Sequence, residues 1–128
     1  MPKTISRNEE IRDEFLKLMQ EHLDELFAGK AEKRFHAVDF ASRMFISSIH
    51  LSNTILLTTG RSPCDFMEEA LLAEAQRLLR ETDLSIADIG YRFVYNDPSN
   101  FTKFFKGMCG LTPMQYRKQE ARSMKTDD

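Results

Sequence analysis

Apolar side chains recur at helical spacing along most of the chain. Ile11, Phe15, Leu18, Met19, His22, Leu23 and Leu26 stand three and four residues apart, the stripe of an amphipathic helix. Phe101, Phe104, Phe105 and Met108 follow the same rule and are expected to face inward. Start and stop signals set the limits. Ser62-Pro63, Asp97-Pro98 and Thr112-Pro113 each put a capping residue before a proline at the first helical position, where its missing N–H costs nothing. Thr112 to Gln115 and Ser85 to Asp88 have capping-box spacing, and Gly60 and Gly110 stand where a helix should stop. These signals predict seven helices, over roughly 9–28, 36–44, 48–58, 63–82, 86–93, 98–107 and 113–124. No segment keeps the two-residue period of a strand. The predicted fold is all-α.

The pattern also repeats. At an offset of 50, Leu51 falls on Phe101, Ile55 on Phe105, Gly60 on Gly110, Ser62 on Thr112, Pro63 on Pro113 and Phe66 on Tyr116. Upstream the offset is 49, pairing Ala37 with Ile86, Phe40 with Ile89, Ala41 with Gly90 and Met44 with Phe93. The second copy therefore holds one extra residue in its turn. Each copy reads as short helix, tight turn, second helix and glycine stop, the layout of a helix-turn-helix. Two copies are too few for a solenoid, which needs three or more.

Charge changes the picture. The net charge of −2 argues against a polyanionic partner, but the charges are segregated. Residues 62–97 carry a net −5, whereas 98–126 carry a net +5 from Lys103, Lys106, Arg117, Lys118, Arg122 and Lys125 against Glu120. The terminal Asp127-Asp128 adds two negative charges. The 128 residues, 41% hydrophobic and 30% charged, suit a globular domain and not a disordered tail. No apolar run approaches the ~20 residues that span a bilayer, and the acidic polar face of the first helix would be repelled by anionic lipid. The opening Met1-Pro2-Lys3-Thr4-Ile5-Ser6 lacks the apolar stretch of a secretory signal. Cys64 and Cys109, without a CxxC, are expected to be buried small hydrophobes in a reducing cytoplasm. His22, His36 and His50 have no metal-type spacing and are read as surface or partly packed side chains. The ten phenylalanines and seven methionines are read as core. No nucleophile–base pair, metal cluster or phosphate loop appears, so neither an enzyme nor a cofactor or metal is expected.

The outward faces carry the remaining information. In the second copy they hold Ser99, Asn100, Thr102, Lys103 and Lys106, types that hydrogen-bond base edges and phosphates. A helix N-terminus adds attraction for phosphate. In the first copy Leu51, Thr54, Ile55 and Thr58 are expected inside, leaving Ile49, His50, Ser52, Asn53, Leu56 and Leu57 outside with no Lys or Arg. The second copy thus reads as a DNA-binding face; the first leaves that open.

Residues 85–106, SIADIGYRFVYNDPSNFTKFFK, followed by Gly110-Leu111-Thr112-Pro113-Met114-Gln115-Tyr116-Arg117, resemble the signature of the AraC/XylS-type bacterial transcription regulators. The resemblance extends over about 35–120. It implies two helix-turn-helices joined by one long helix, here 63–82, with each recognition helix entering successive major-groove segments. A helix of that length spans ~27–30 Å, near the ~34 Å of one DNA turn. It also implies base-reading roles for Ile49, Ser52 and Asn53 in the first recognition helix. In the second it implies them for Pro98, Ser99, Asn100, Thr102 and Lys103. Arg43, Arg61, Lys106, Arg117 and Lys118 are the phosphate-contact candidates. RNA polymerase is implied as a second partner, and a small-molecule effector only where a separate N-terminal domain exists. Three positions depart from the family pattern. Gly90 and Val94 stand for a small alanine and a turn glycine, Leu56-Leu57 for a basic pair, and Leu71 for a basic residue of the linker helix.

The expected organisation is an N-terminal helix and loop (1–34) packed on the first helix-turn-helix (35–62), the linker helix (63–82), a second helix-turn-helix with its C-terminal helix (83–124), and a tail (125–128). The expected function is a cytoplasmic, sequence-specific regulator, for example an activator, that binds double-stranded promoter DNA. The alternative is a helical protein-interaction module that kept the fold and lost DNA binding, favoured by the leucine face and the net negative charge.

Overall fold

The computed structural model describes residues 6–125, with side chains to Ser123; Met1 to Ile5 and the end of the tail lie outside the described residues. Seven helices and no strand occur among them: α1 Arg7–Phe27, α2 Ala37–Arg43, α3 Ser48–Thr59, α4 Pro63–Glu81, α5 Ile86–Arg92, α6 Pro98–Cys109 and α7 Pro113–Lys125. The all-α fold stands, with boundaries within two residues of those read from the sequence. Helix α1 begins earlier than expected because Ser6 caps it, its hydroxyl accepting from Glu9 N–H at 3.2 Å. The chain divides into two compact units, residues 1–68 and 69–128, with the boundary inside α4.

In the first unit α1 packs on α3 and α2. Ile11, Phe15, Leu26, Phe40, Leu51 and Ile55 are fully buried, each contributing ~1.5–3 kcal/mol relative to exposure. Phe15 meets Phe40 edge-on at 5.4 Å and Phe66 at 6.3 Å. His22 departs from expectation: it is 4% exposed, stacks on Phe35 with centroids 3.9 Å apart, and its Nε2 accepts from Phe35 N–H at 3.0 Å. Burial holds this imidazole below its ordinary pKa of 6.5, against the upward pull of Glu25 and Asp39 and with the help of Arg43 and Lys33. A histidine kept neutral by folding gives stability that is present above the unfolded value and lost as pH falls towards the folded one. Urea melts of the first unit should therefore show full stability at pH 7.5 and a progressive loss below about pH 6.5. His22→Gln, which retains an acceptor but does not titrate, should flatten that dependence.

In the second unit α6 packs between α5 and α7. Its core is Leu78, Leu79, Ile89, Phe93, Phe101 and Phe105, all at most 2% exposed. The end of α4 is tied to α7 by hydrogen bonds from Arg80 Nη1 to Tyr116 Oη (2.8 Å), Arg117 Nε to Leu79 O (3.0 Å) and Arg117 Nη2 to Thr82 O (3.2 Å). Two carbonyls with no partner inside the α4 helix are thereby satisfied. Cys109 is half-buried near Gln76, but Cys64 is exposed on the first turn of α4, contrary to the expectation that both would be buried. It sits beside the capping-box pair Ser62 and Asp65, whose backbone N–H groups each donate to the other's side chain at 3.1 Å. Position N2 there faces solvent.

Candidate nucleic-acid interface

Each unit presents one helix that follows a tight turn, and the two turns have the same internal geometry. Ile46 N–H donates to Ala41 O at 3.1 Å, and Tyr95 N–H to Gly90 O at 3.0 Å, at the 49-residue offset of the repeat. The residue before each donor is left-handed and is not glycine: Phe45 has φ 59° and Val94 has φ 63°. The departure at Val94 thus leaves the turn intact at the cost of a strained β-branched residue. Gly90 explains the tightness. A Cβ there would lie 3.2 Å from Phe101 Cβ and 3.5 Å from Pro98 Cα, so its absence lets α5 close on the start of α6.

Both presented helices are capped at each end. Ser47 accepts from His50 N–H at 3.0 Å at the start of α3, and Asp97 from Ser99 N–H at 3.0 Å at the start of α6. Gly60 and Gly110, with φ 77° and 85°, stop the two helices. The Asp97 cap corrects one expectation. Its backbone hydrogen bond from Ser99 holds the carboxyl below the usual carboxylate range, so it is ionised at neutral pH. A fixed negative charge then occupies the α6 N-terminus, which opposes phosphate there.

The side chains expected to read bases emerge on these helices. Ile49, Asn53, Ser99, Asn100 and Lys103 are exposed, and Ser52, Pro98 and Thr102 are half-buried at the helix shoulders. The side chains of Asn53, Asn100, Thr102 and Lys103 make no hydrogen bond among the described residues. Inside α6 the expected face holds for Phe101 and Phe105, but Phe104 is half-buried and Met108 is 37% exposed, since the helix end runs past the core. Thr58 of α3 is likewise only half-buried; its Oγ1 donates back to Thr54 O at 2.8 Å.

The cationic candidates divide. Lys106 and Lys118 are exposed. Arg43 is exposed with its guanidinium 4.6 Å from the Phe35 ring, and half-buried Arg61 lies 4.5 Å from Phe66 and donates from Nη2 to Asp65 O at 3.5 Å. Half-buried Arg117 donates from Nε to Leu79 O and from Nη2 to Thr82 O, bonds to neutral carbonyls that anchor it and leave its charge in place. Leu71 is 3% exposed and belongs to the core, so no phosphate contact arises at that position.

Sequence reading passed over Phe45. It is 95% exposed in the turn before α3, and only its side-chain geometry, not its spacing, singles it out. Leu56 and Leu57 are exposed as expected.

A helix-turn-helix domain model matches residues 40–119, most of the chain. The chain belongs to the AraC-type helix-turn-helix family. The AraC-type domain is 34% identical over 82 residues to the transcriptional activator NphR of a Rhodococcus species, a match covering 64% of this chain and 24% of the activator. Its fold is similar to the C-terminal domain of AraT, a response regulator from Geobacillus stearothermophilus. That match has a TM-score of 0.75 at 25% identity and covers 89% of this chain and 88% of that one. It is also similar to the DNA-binding domain of the transcriptional factor AdpA, solved with a target DNA, with a TM-score of 0.72 at 21% identity and coverage of 90% and 98%. The curated relatives are longer than this domain, which spans 6% of one, 24% of NphR and 39% of another. No helix among the described residues is long and apolar enough to cross a membrane, and no group of His, Cys, Asp and Glu among them could hold a metal ion.

Proposed function

We propose that the chain is a sequence-specific double-stranded DNA-binding regulator of transcription initiation, acting in the cytoplasm by positioning and electrostatics without chemistry of its own. The observation that carries this reading is the pair of matching turns, each followed by a capped helix whose outer face holds unpaired hydrogen-bonding side chains. The names of NphR and of the AdpA–DNA complex support the same reading. In it, α3 and α6 enter successive major-groove segments. Ser99, Asn100, Thr102 and Lys103, with the Pro98 shoulder, meet one group of base edges; Ile49, Ser52 and Asn53 meet the other. Lys106, Lys118, Arg43 and Arg61 hold phosphates. RNA polymerase is the proposed second partner.

Lys106→Ala tests the electrostatic part. Titrations of labelled duplex at several salt concentrations should show weaker binding to specific and random sequences alike. The slope of log K against log salt should become shallower by about 0.9, the value for one lost phosphate contact. An unchanged slope would remove Lys106 from the interface.

A further inference from the structure

The repeat permits a position-by-position comparison of the two presented faces. Where α6 has Ser99, Thr102, Lys103 and Lys106, α3 has Ile49, Ser52, Asn53 and Leu56. Every cation and one hydroxyl of the second face is replaced in the first by an apolar or neutral group. Ile49 is 73% exposed on the first turn of α3. Two residues before the Ser47 cap stands Phe45, almost wholly exposed and left-handed. Its counterpart Val94 is half-buried, so packing offsets its strain. Phe45 has no such compensation in the free protein. An exposed aromatic ring on a left-handed backbone is a contact surface for a partner.

Duplex DNA narrows what that is. In the major groove the 5-methyl of thymine is the apolar group that projects from the base edges, and it is the partner for aliphatic and aromatic side chains. We propose that the first unit reads thymine through its 5-methyl groups, with Ile49 and Phe45 as the specificity-determining contacts. This inference rests on the DNA-binding reading above and deepens it. The two units then divide the work: the second binds largely through charge and loses affinity as salt rises, and the first adds sequence preference that salt does not screen.

The test uses the full chain and a duplex selected by it from a random-sequence pool. The selected duplex is resynthesised with deoxyuridine in place of thymine, in each half of the site in turn, which removes only the methyl groups. In the half facing α3, affinity should fall about fourfold for each contacted methyl. Ile49→Ala should lose a comparable factor on thymine DNA and part of the sensitivity to deoxyuridine, with its salt slope unchanged; combined with Phe45→Gly it should become indifferent to deoxyuridine in that half. Phe45→Gly should lower affinity for the thymine duplex while raising the melting temperature of the protein, because glycine adopts the left-handed turn without strain. Opposite signs for folding and binding separate a reading role from a structural one. Equal affinity for the thymine and deoxyuridine duplexes, or deoxyuridine sensitivity undiminished when Ile49→Ala and Phe45→Gly are combined, would overturn the inference while leaving DNA binding in place. Absence of salt-dependent association with any duplex would sink the DNA-binding reading and this inference together.

Discussion

Phe101→Ala should destabilise the second unit by about 3–5 kcal/mol, the usual cost of removing a fully buried aromatic ring. Phe101 is wholly buried and central to the recognition helix. Its ring lies 5.9 Å from Phe93, 5.9 Å from Tyr95 and 6.1 Å from Phe105. Alanine would keep the Cβ that lies beside Gly90 but would remove the ring from the aromatic cluster of Phe93, Tyr95 and Phe105. Domains of this size are stable by only about 5–15 kcal/mol in all. A loss of this size should therefore appear in urea melts as a lower midpoint and should abolish specific DNA binding at 37 °C. Ser99→Ala, on the exposed face of the same helix, serves as the control and should shift stability by less than about 0.5 kcal/mol. A loss below 1 kcal/mol for Phe101→Ala would mean that α6 is not held by this cluster.

Asn100→Ala should act on binding and not on folding. The side chain is exposed, sits in the first turn of α6 and makes no hydrogen bond among the described residues. It is free to use its carbonyl and amide on a base edge, where a bidentate asparagine suits adenine. Its removal should cost about 1–3 kcal/mol on the selected duplex and relax preference at one base position. Affinity for random duplex and the melting temperature should stay unchanged. Equal losses on selected and random DNA would show that Asn100 touches phosphate, and no loss on either that it lies outside the interface.

Most of the fold was legible because helix punctuation is local chemistry. Proline after Ser62, Asp97 and Thr112, and glycine at 60 and 110, act within one turn, and each marks a boundary in the structure. The repeat was legible for the same reason: the buried phenylalanines and leucines recur at fixed spacing. What spacing could not reveal is what a side chain does once the chain has folded. Arg117 reads as one more surface cation, and its anchoring on Leu79 O and Thr82 O, 38 and 35 residues away in sequence, shows only in the fold. His22 has the spacing of a core position, but its acceptor role depends on Phe35 N–H, 13 residues on. The left-handed turns at Phe45 and Val94 hid because neither residue is glycine. Backbone strain leaves no trace in a hydrophobic pattern. Asp97 was legible as a cap and as a charge, but the fixing of its carboxylate on Ser99 N–H at the end of α6 shows only in the fold.

The account stands or falls on discrimination between DNA sequences. The decisive measurement is the ratio of affinities of the full chain for a duplex selected from a random pool and for the same duplex scrambled, at physiological salt. A regulator that reads bases through α3 and α6 should prefer the selected duplex by about a thousandfold or more. The preference should fall when either half of the site alone is scrambled. Equal affinity for both duplexes, or no association at any salt concentration, would contradict the account and leave the exposed leucines of α3 as the surface of a protein-interaction module.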